Sequence, residues 1–235
     1  LYDTETNNLI AVIEANRMGQ LRTGAATGIA TSLMARGDAV EVAILGSGSQ
    51  APAQLESVCQ VRNIQRVRVY SATQPNRERF ADKMSGLLDV EVVSVESSMK
   101  AIERADIVVT ITNSQTPVFN GDWLEPGMHV AAVGGAAPYV RELDDKAVQR
   151  ADLIIVDDLS QSKIESGELM IPASKGLVSW EQMYELWQVV DGEVSGRRTN
   201  EDITLFKSLG MALWDIAVAN VVYKKATIAG KGKLL

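Results

Sequence analysis

A single cysteine, Cys59, leaves the chain without an intrachain disulfide or a cysteine-based zinc cluster, which fits a reducing, intracellular setting; a cytoplasmic location is expected. A single histidine, His129, has no carboxylate motif beside it and makes a poor metal site or catalytic dyad, so no metal is expected. Neither G-x-S-x-G nor H-E-x-x-H occurs, and the acidic residues read as solvated helix faces. A net charge of -7 argues against a nucleic-acid surface, which needs clustered Lys and Arg. No apolar run approaches the roughly 18–20 residues of a membrane span. No signal peptide is visible, although the chain begins at Leu1 inside a segment that reads as a strand, so a natural N-terminus is expected further upstream.

What is present is ordinary for a globular protein: 235 residues, 46% hydrophobic and 23% charged, enough for one large domain or two small ones. The informative stretch is Val42-Ala43-Ile44-Leu45-Gly46-Ser47-Gly48-Ser49-Gln50-Ala51-Pro52. A β-branched run ends in two glycines spaced by one residue, with a third small residue, Ala51, before a helix-compatible segment. This is the strand–turn–helix form of the dinucleotide fingerprint G-x-G-x-x-G/A. Gly46 allows the tight turn. Gly48 lacks the Cβ that would hold a pyrophosphate away from the backbone, and Ala51 lets the helix pack close to the strand. The pyrophosphate would sit on the free N–H groups and the positive dipole end of the helix. Pro52 suits the first turn, where its missing N–H costs nothing. Taken alone, the motif also fits a plain glycine-rich loop.

Along the rest of the chain, Leu1–Asp3 and Leu9–Ile13 read as two strands around a turn at Asn7-Asn8. Residues 15–35 favour helix, with Gly24, Ala25, Ala26, Gly28 and Ala30 small enough for close approach of a neighbouring helix or a ligand. Gly37 reads as a helix stop. Strands are expected at 42–45, 67–70, 90–95, 107–112, 129–133 and 153–156. Helices are expected at 51–62, 76–87, 98–104, 142–150 and 160–166. This alternation predicts an α/β fold with a doubly wound, Rossmann-like parallel sheet. Past Gly176 the alternation ends. A helix over 179–189 with Ser179 as N-cap would place Trp180 and Trp187 on one core-facing side, and residues 191–200 read as a loop. A long helix over 206–224 would carry one apolar stripe of Phe206, Leu209, Leu213, Ile216, Ala217 and Val221, followed by a frayed tail over 228–233. The two ends of the chain are expected to pack together as a second, discontinuous domain.

In NAD-specific Rossmann domains an acidic residue about 20 positions past the glycines binds the ribose 2′-hydroxyl. Here that place is Ser71, and no Asp or Glu occurs before Arg77. Hydroxyls, the Asn76 amide and Arg77 can bind a 2′-phosphate that a carboxylate would repel, which favours NADP(H) over NAD(H). The alternative for Arg77 is a solvated helix residue paired with Glu78 or Asp82. The fourth strand ends Thr110-Ile111-Thr112-Asn113-Ser114 and the fifth Val133-Gly134-Gly135-Ala136-Ala137, both at the edge where such sheets bind ligands.

Six ordered segments make the chain resemble the ornithine cyclodeaminase/mu-crystallin family over nearly its whole length. They are Leu21-Arg22-Thr23-Gly24-Ala25-Ala26, residues 46–51, Gly121-Asp122-Trp123-Leu124-Glu125-Pro126-Gly127-Met128-His129-Val130, Arg141-Glu142-Leu143-Asp144, Glu165-Ser166-Gly167-Glu168-Leu169 and Phe206-Lys207-Ser208-Leu209-Gly210-Met211-Ala212. The resemblance implies a Rossmann domain over 37–176, inserted in a discontinuous α+β substrate and dimerisation domain made of 1–36 and 177–235. It also implies that the first part of a full-length member, which usually supplies basic residues for the substrate carboxylate, is absent; an incomplete substrate site and poor solubility are expected if these 235 residues stand alone. Arg22 matches an arginine that reaches both substrate and nicotinamide region. Gly46, Gly48, Ser49 and Gln50 match the pyrophosphate loop. Ser71, Ala72 and Thr73 match the adenosine-phosphate site, where Ala72 replaces a frequent arginine. Thr112, Asn113 and Val133 match positions around the nicotinamide, and Lys207 and Ser208 match the start of a helix closing over it. Cyclodeaminases carry an acid/base aspartate where this chain has Ala136, which cannot transfer a proton. The resemblance therefore implies a homodimeric NAD(P)H-dependent reductase of a small imino acid, in the manner of mu-crystallin-like ketimine reductases. Ornithine cyclodeaminase, an amino-acid dehydrogenase, or a non-catalytic NADPH-dependent binding protein are the alternatives.

Overall fold

The computed structural model describes residues 1–233. After an N-terminal turn come α1 (Asn16–Met34), β1 (Glu41–Leu45), α2 (Ala51–Val61), β2 (Arg66–Tyr70), α3 (Gln74–Leu88), β3 (Glu91–Ser94), α4 (Ser98–Ile102) and β4 (Ile107–Thr110). Then follow β5 (His129–Ala132), α5 (Asp145–Gln149), β6 (Leu153–Val156), α6 (Leu159–Glu165), α7 (Gly167–Ser174), β7 (Met183–Glu185), α8 (Leu186–Val190), β8 (Thr204–Lys207) and α9 (Ala212–Ile228). The strands form one sheet in the order β3-β2-β1-β4-β5-β8-β6-β7, every pairing parallel.

A parallel sheet covered on both faces buries successive residues in opposite layers. Val42 and Ile44 of β1, Ile107 and Val109 of β4, Ile155 of β6 and Phe206 of β8 enter one core, with α1, α2 and α3. Their neighbours Ala43, Leu45, Val108, Ile154, Val156 and Leu205 enter the other, with α4, α5 and α7. The close approach offered by the small residues of α1 is used by a helix: a Cβ at Gly24 would overlap the Ala53 carbonyl of α2.

The expected six strands are all present, and the structure adds two. Residues 179–189 are a 3-10 turn at Trp180–Gln182, then β7 and α8, so the two tryptophans do not share one helix. Ser179 makes no side-chain cap, Trp187 is exposed, and Trp180 packs partly against the second core under the Lys163 ammonium. Phe206 and Lys207, expected at the head of a long helix, lie in β8, which slots between β5 and β6. A four-residue strand buried on both faces carries no alternation to set it apart from helix. Segment 177–235 therefore contributes two strands to the sheet that was expected to come from 37–176 alone. Of the expected apolar stripe only Leu213, Ile216, Ala217 and Val221 fall on α9; Leu213, Ile216 and Val221 are exposed and Ala219 is the buried residue of the helix. At the N-terminus the two expected strands reduce to one bridge, Tyr2 to Leu9, around a turn with Asn7 at φ 57, and no third strand pairs with them among the described residues. Glu142, expected on a helix, precedes α5, which Asp144 caps.

Candidate functional site

The carboxyl ends of β1, β2 and β4 open into a cleft of about 830 Å³, at the point where the strand order reverses. Its lining includes Gly46, Gly48, Ser49 and Gln50 after β1; Ser71, Thr73 and Asn76 after β2; and Thr112 and Asn113 after β4. Nine of the fourteen sequence-predicted site residues thus share one cavity. Arg22, Arg77, Val133, Lys207 and Ser208 do not line it.

The glycine loop has the geometry its sequence predicts. Gly46 sits at φ 119, donates to the Tyr70 carbonyl at 2.8 Å, and a Cβ there would overlap the Ile111 carbonyl. Gly48 has nothing within 4 Å of the place its Cβ would take, so a ligand can approach the backbone directly. Ala51 is fully buried against the sheet, and Pro52 occupies the first turn of α2. No side chain caps α2; Ala51 N–H turns back to the Gly48 carbonyl at 3.2 Å and Pro52 has no N–H, which leaves the Ala53 N–H of the first turn to water or to an anion. The buried Gln50 Oε1 also has no partner among the described residues.

At the far end of the cleft Ser47 Oγ donates to Ser71 Oγ at 2.9 Å, tying the β1 and β2 loops. Arg77 donates to the Ser71 carbonyl at 3.0 Å, and its guanidinium lies 5.8 Å from the centre of the Tyr70 ring. It forms no ion pair with Glu78 or Asp82 among the described residues, so a cation is held at the end of β2, beside the cleft.

Val133, Lys207 and Ser208 gather on the same sheet edge, one step across, at the ends of β5 and β8, and Arg22 of α1 meets the loop after β8. Val133 is buried in the first core and does not reach the cleft. Lys207 is fully buried; its ammonium donates to the carbonyls of Gly135 at 2.8 Å and Gly134 at 3.2 Å and lies 3.4 Å from Glu168 Oε2. Ser208 follows a strand and opens no helix. Its hydroxyl donates to Asp157 Oδ2 at 3.0 Å, which also accepts from the backbone N–H groups of Leu209 and Gly210 at 2.7 and 2.6 Å. That clamp sets Gly210, at φ 87, directly against the Arg22 guanidinium. Arg22 Nε donates to Asp215 Oδ1 at 3.1 Å, while its buried Nη1 has no hydrogen-bond partner among the described residues.

The reading of acidic residues as solvated fails here: Glu142, Glu168 and Asp157 are all buried. Glu142 accepts from Thr112 N–H at 2.5 Å on one oxygen, and from Thr110 Oγ1 at 2.7 Å and Gly134 N–H at 2.9 Å on the other. Burial pushes its carboxyl above the usual range, outweighing these donors and the Lys207 charge. No local signal marks either glutamate as buried, since the partners of both come from other segments of the chain. His129 is fully buried, its Nδ1 2.9 Å from Thr204 Oγ1. Burial, helped by the charges of Arg197 and Arg62, pushes its pKa down to about 3, so it stays neutral. No group of three or more potential metal-ligating residues is found among the described residues, and no helix among them is long and apolar enough to cross a membrane.

The fold has close relatives. Thermococcus litoralis Delta(1)-pyrroline-2-carboxylate reductase, solved with NADH and L-proline, superposes with a TM-score of 0.97 at 37% identity, covering 100% of this chain and 72% of that one. An archaeal alanine dehydrogenase dimer with bound NAD matches with a TM-score of 0.92 at 35% identity, over 99% of this chain and 71% of that one. Mouse (Mus musculus) ketimine reductase mu-crystallin is 34% identical over 95% of this chain and 67% of its own length. The ornithine cyclodeaminase/mu-crystallin family model matches residues 1–230. On the strand order, the glycine loop and these matches, the chain belongs to the ornithine cyclodeaminase/mu-crystallin family.

Proposed function

We propose that the protein is an NAD(P)H-dependent oxidoreductase that reduces the C=N bond of a small imino acid of the pyrroline-2-carboxylate type. The observation that carries this reading is the cleft at the strand-order reversal, in a chain so similar to a pyrroline-2-carboxylate reductase. Unobstructed Gly48 and the uncapped start of α2 fit a pyrophosphate, with Gly46, Ser49 and Gln50 completing the loop. Ser71, Thr73, Asn76 and Arg77 would hold the adenosine end, and their lack of a carboxylate supports NADP(H) over NAD(H). Thr112 and Asn113 would flank the nicotinamide, with Val133 packed behind them. When bound, the reduced nicotinamide supplies the hydride.

The chain's own part is orientation and exclusion of water. Arg22 offers its partnerless Nη1 to the substrate carboxylate, held in place by Asp215 and by the loop that Ser208 and Asp157 anchor. Lys207 supports the turn after β5 from beneath. Ala136 has no proton to give, so an imine that arrives protonated needs no side-chain acid, whereas deamination of an amine would. The same reading keeps 1–36 and α9 within a discontinuous substrate and dimerisation domain, and makes the protein a cytoplasmic homodimer in which exposed Leu213, Ile216 and Val221 of α9 meet a second copy.

The test is to mix the protein with NADPH or NADH and pyrroline-2-carboxylate or its six-membered homologue. Loss of the reduced-nicotinamide absorbance band is expected, faster with NADPH. No oxidation with any imino acid overturns the reading. The similarity to alanine dehydrogenase favours one second reading, an amino-acid dehydrogenase. Reduction of NAD(P)+ by alanine, with no turnover of cyclic imines, would establish that one.

A further inference from the structure

Glu142 lies outside the cleft lining, yet three of its polar atoms hold the cleft's inner wall. Its carboxylate takes the N–H of Thr112, just past β4, and the N–H of Gly134, just past β5. Its main-chain carbonyl accepts from Val118 N–H at 2.8 Å, at the other end of the 111–118 loop whose Ile111, Thr112, Asn113, Ser114, Pro117 and Val118 form that wall. Its own N–H donates to Glu168 Oε1 at 3.0 Å, and Glu168 faces Lys207, whose ammonium holds the carbonyls of the same Gly134–Gly135 turn. A Cβ at Gly134 would overlap the Glu142 carboxylate, so the turn is shaped around that group.

Burying two carboxylates and an ammonium is costly, and well-packed apolar residues would stabilise such a sheet edge at least as well. What an apolar residue cannot do is hold two separate turns by their backbone N–H groups at once. We propose that Glu142 is a positioning residue for the nicotinamide end of the cleft: it locks the β4 and β5 turns in one relative arrangement, with Lys207 and Glu168 holding it from behind. This inference rests on the dinucleotide reading of the cleft.

Glu142→Gln separates this role from simple packing. The amide keeps the size but accepts hydrogen bonds on one atom only, so its NH2 must face either the Thr112 or the Gly134 N–H and release that turn. The probes are the reduced dinucleotide that the wild type binds more tightly, NADPH or NADH, and the matching ADP-ribose (with or without the 2′-phosphate), which lacks the nicotinamide. Glu142→Gln should weaken the dinucleotide by about tenfold, the worth of one charge-assisted hydrogen bond, while changing the ADP-ribose less than about twofold. The emission of bound NAD(P)H should also move towards that of the free dinucleotide. Thr110→Val, which removes one donor and keeps a β-branched strand residue, should act in the same direction by about threefold, and it decides the matter if Glu142→Gln does not fold. Unchanged dinucleotide affinity, or equal losses for dinucleotide and ADP-ribose, would overturn the proposal. A wild-type protein that binds neither NADPH nor NADH removes the cofactor reading itself, and that is seen before any variant is made.

Discussion

The two halves of the sheet edge are built from different materials. At the ends of β1, β2 and β4 the cleft is made of backbone groups, glycines and small hydroxyl side chains, open to solvent. At the ends of β5, β8 and β6 the chain buries Lys207, Glu142, Glu168 and Asp157, each bonded to backbone of a neighbouring turn. The first half uses little more than local geometry. The second uses charge as a fastener between segments distant in the chain, where removing one member leaves the others stranded. The contrast teaches where each half is vulnerable: binding in the first, stability and alignment in the second.

The largest effect should come from the buried half. Lys207→Met leaves the Glu168 and Glu142 carboxylates without their cation, and a loss of about 3–5 kcal/mol is expected. Urea unfolding measures it, and adding Glu168→Met should restore only part, because the Glu142 N–H then lacks its acceptor. A loss below about 1 kcal/mol would show that Lys207 is no fastener.

In the open half, two neighbouring glycines should separate stability from binding. Gly46→Ala forces a side chain into φ 119 against the Ile111 carbonyl, and about 1–3 kcal/mol should be lost. Gly48→Ala meets nothing in the fold, so its unfolding midpoint should stay put while NAD(P)H affinity falls. Equal destabilisation by both would erase the distinction.

His129 starts β5, at the sheet edge opposite both halves, and adds a pH signature independent of them. Its folded pKa of about 3 lies below the ordinary value of 6.5, so between those limits the unfolded chain binds the extra proton. Stability is therefore full above that window and falls as pH drops through it, by up to about 1.4 kcal/mol per pH unit. Urea midpoints compared just above and below pH 6 should show the slope, and His129→Gln should flatten it. An unchanged slope would assign it elsewhere.

The smallest effect belongs to the adenosine end. Arg77→Ala removes the cation held beside Ser71 and should lower the NADPH-to-NADH affinity ratio by about tenfold, with little change in NADH binding. A constant ratio would leave the cofactor preference to the hydroxyls.

The open half was legible because its information is local. The run from Val42 to Pro52 carries strand, turn and helix start within eleven residues, and all three are met in the structure, with Gly46 in a left-handed turn and Ala51 buried. The missing carboxylate after β2 was equally visible. β8 was not: Phe206 and Lys207, followed by Leu209 and Leu213, read as the start of a helix, and only pairing with β5 and β6 makes them part of a strand. Lys207 and Ser208 moved with it, from a closing helix to a sheet edge.

The sequence by itself determined the α/β class, the places of the first six strands along the chain, the glycine loop and the family. These follow from periodicity and from residues whose partners lie a few positions away. The tertiary structure alone decided that segment 177–235 completes the sheet, that Glu142 and Glu168 are buried, and that Lys207 meets Gly134, Gly135 and Glu168. A charged residue reads as solvated until a partner from elsewhere in the chain makes its burial affordable, and no local pattern records that partner.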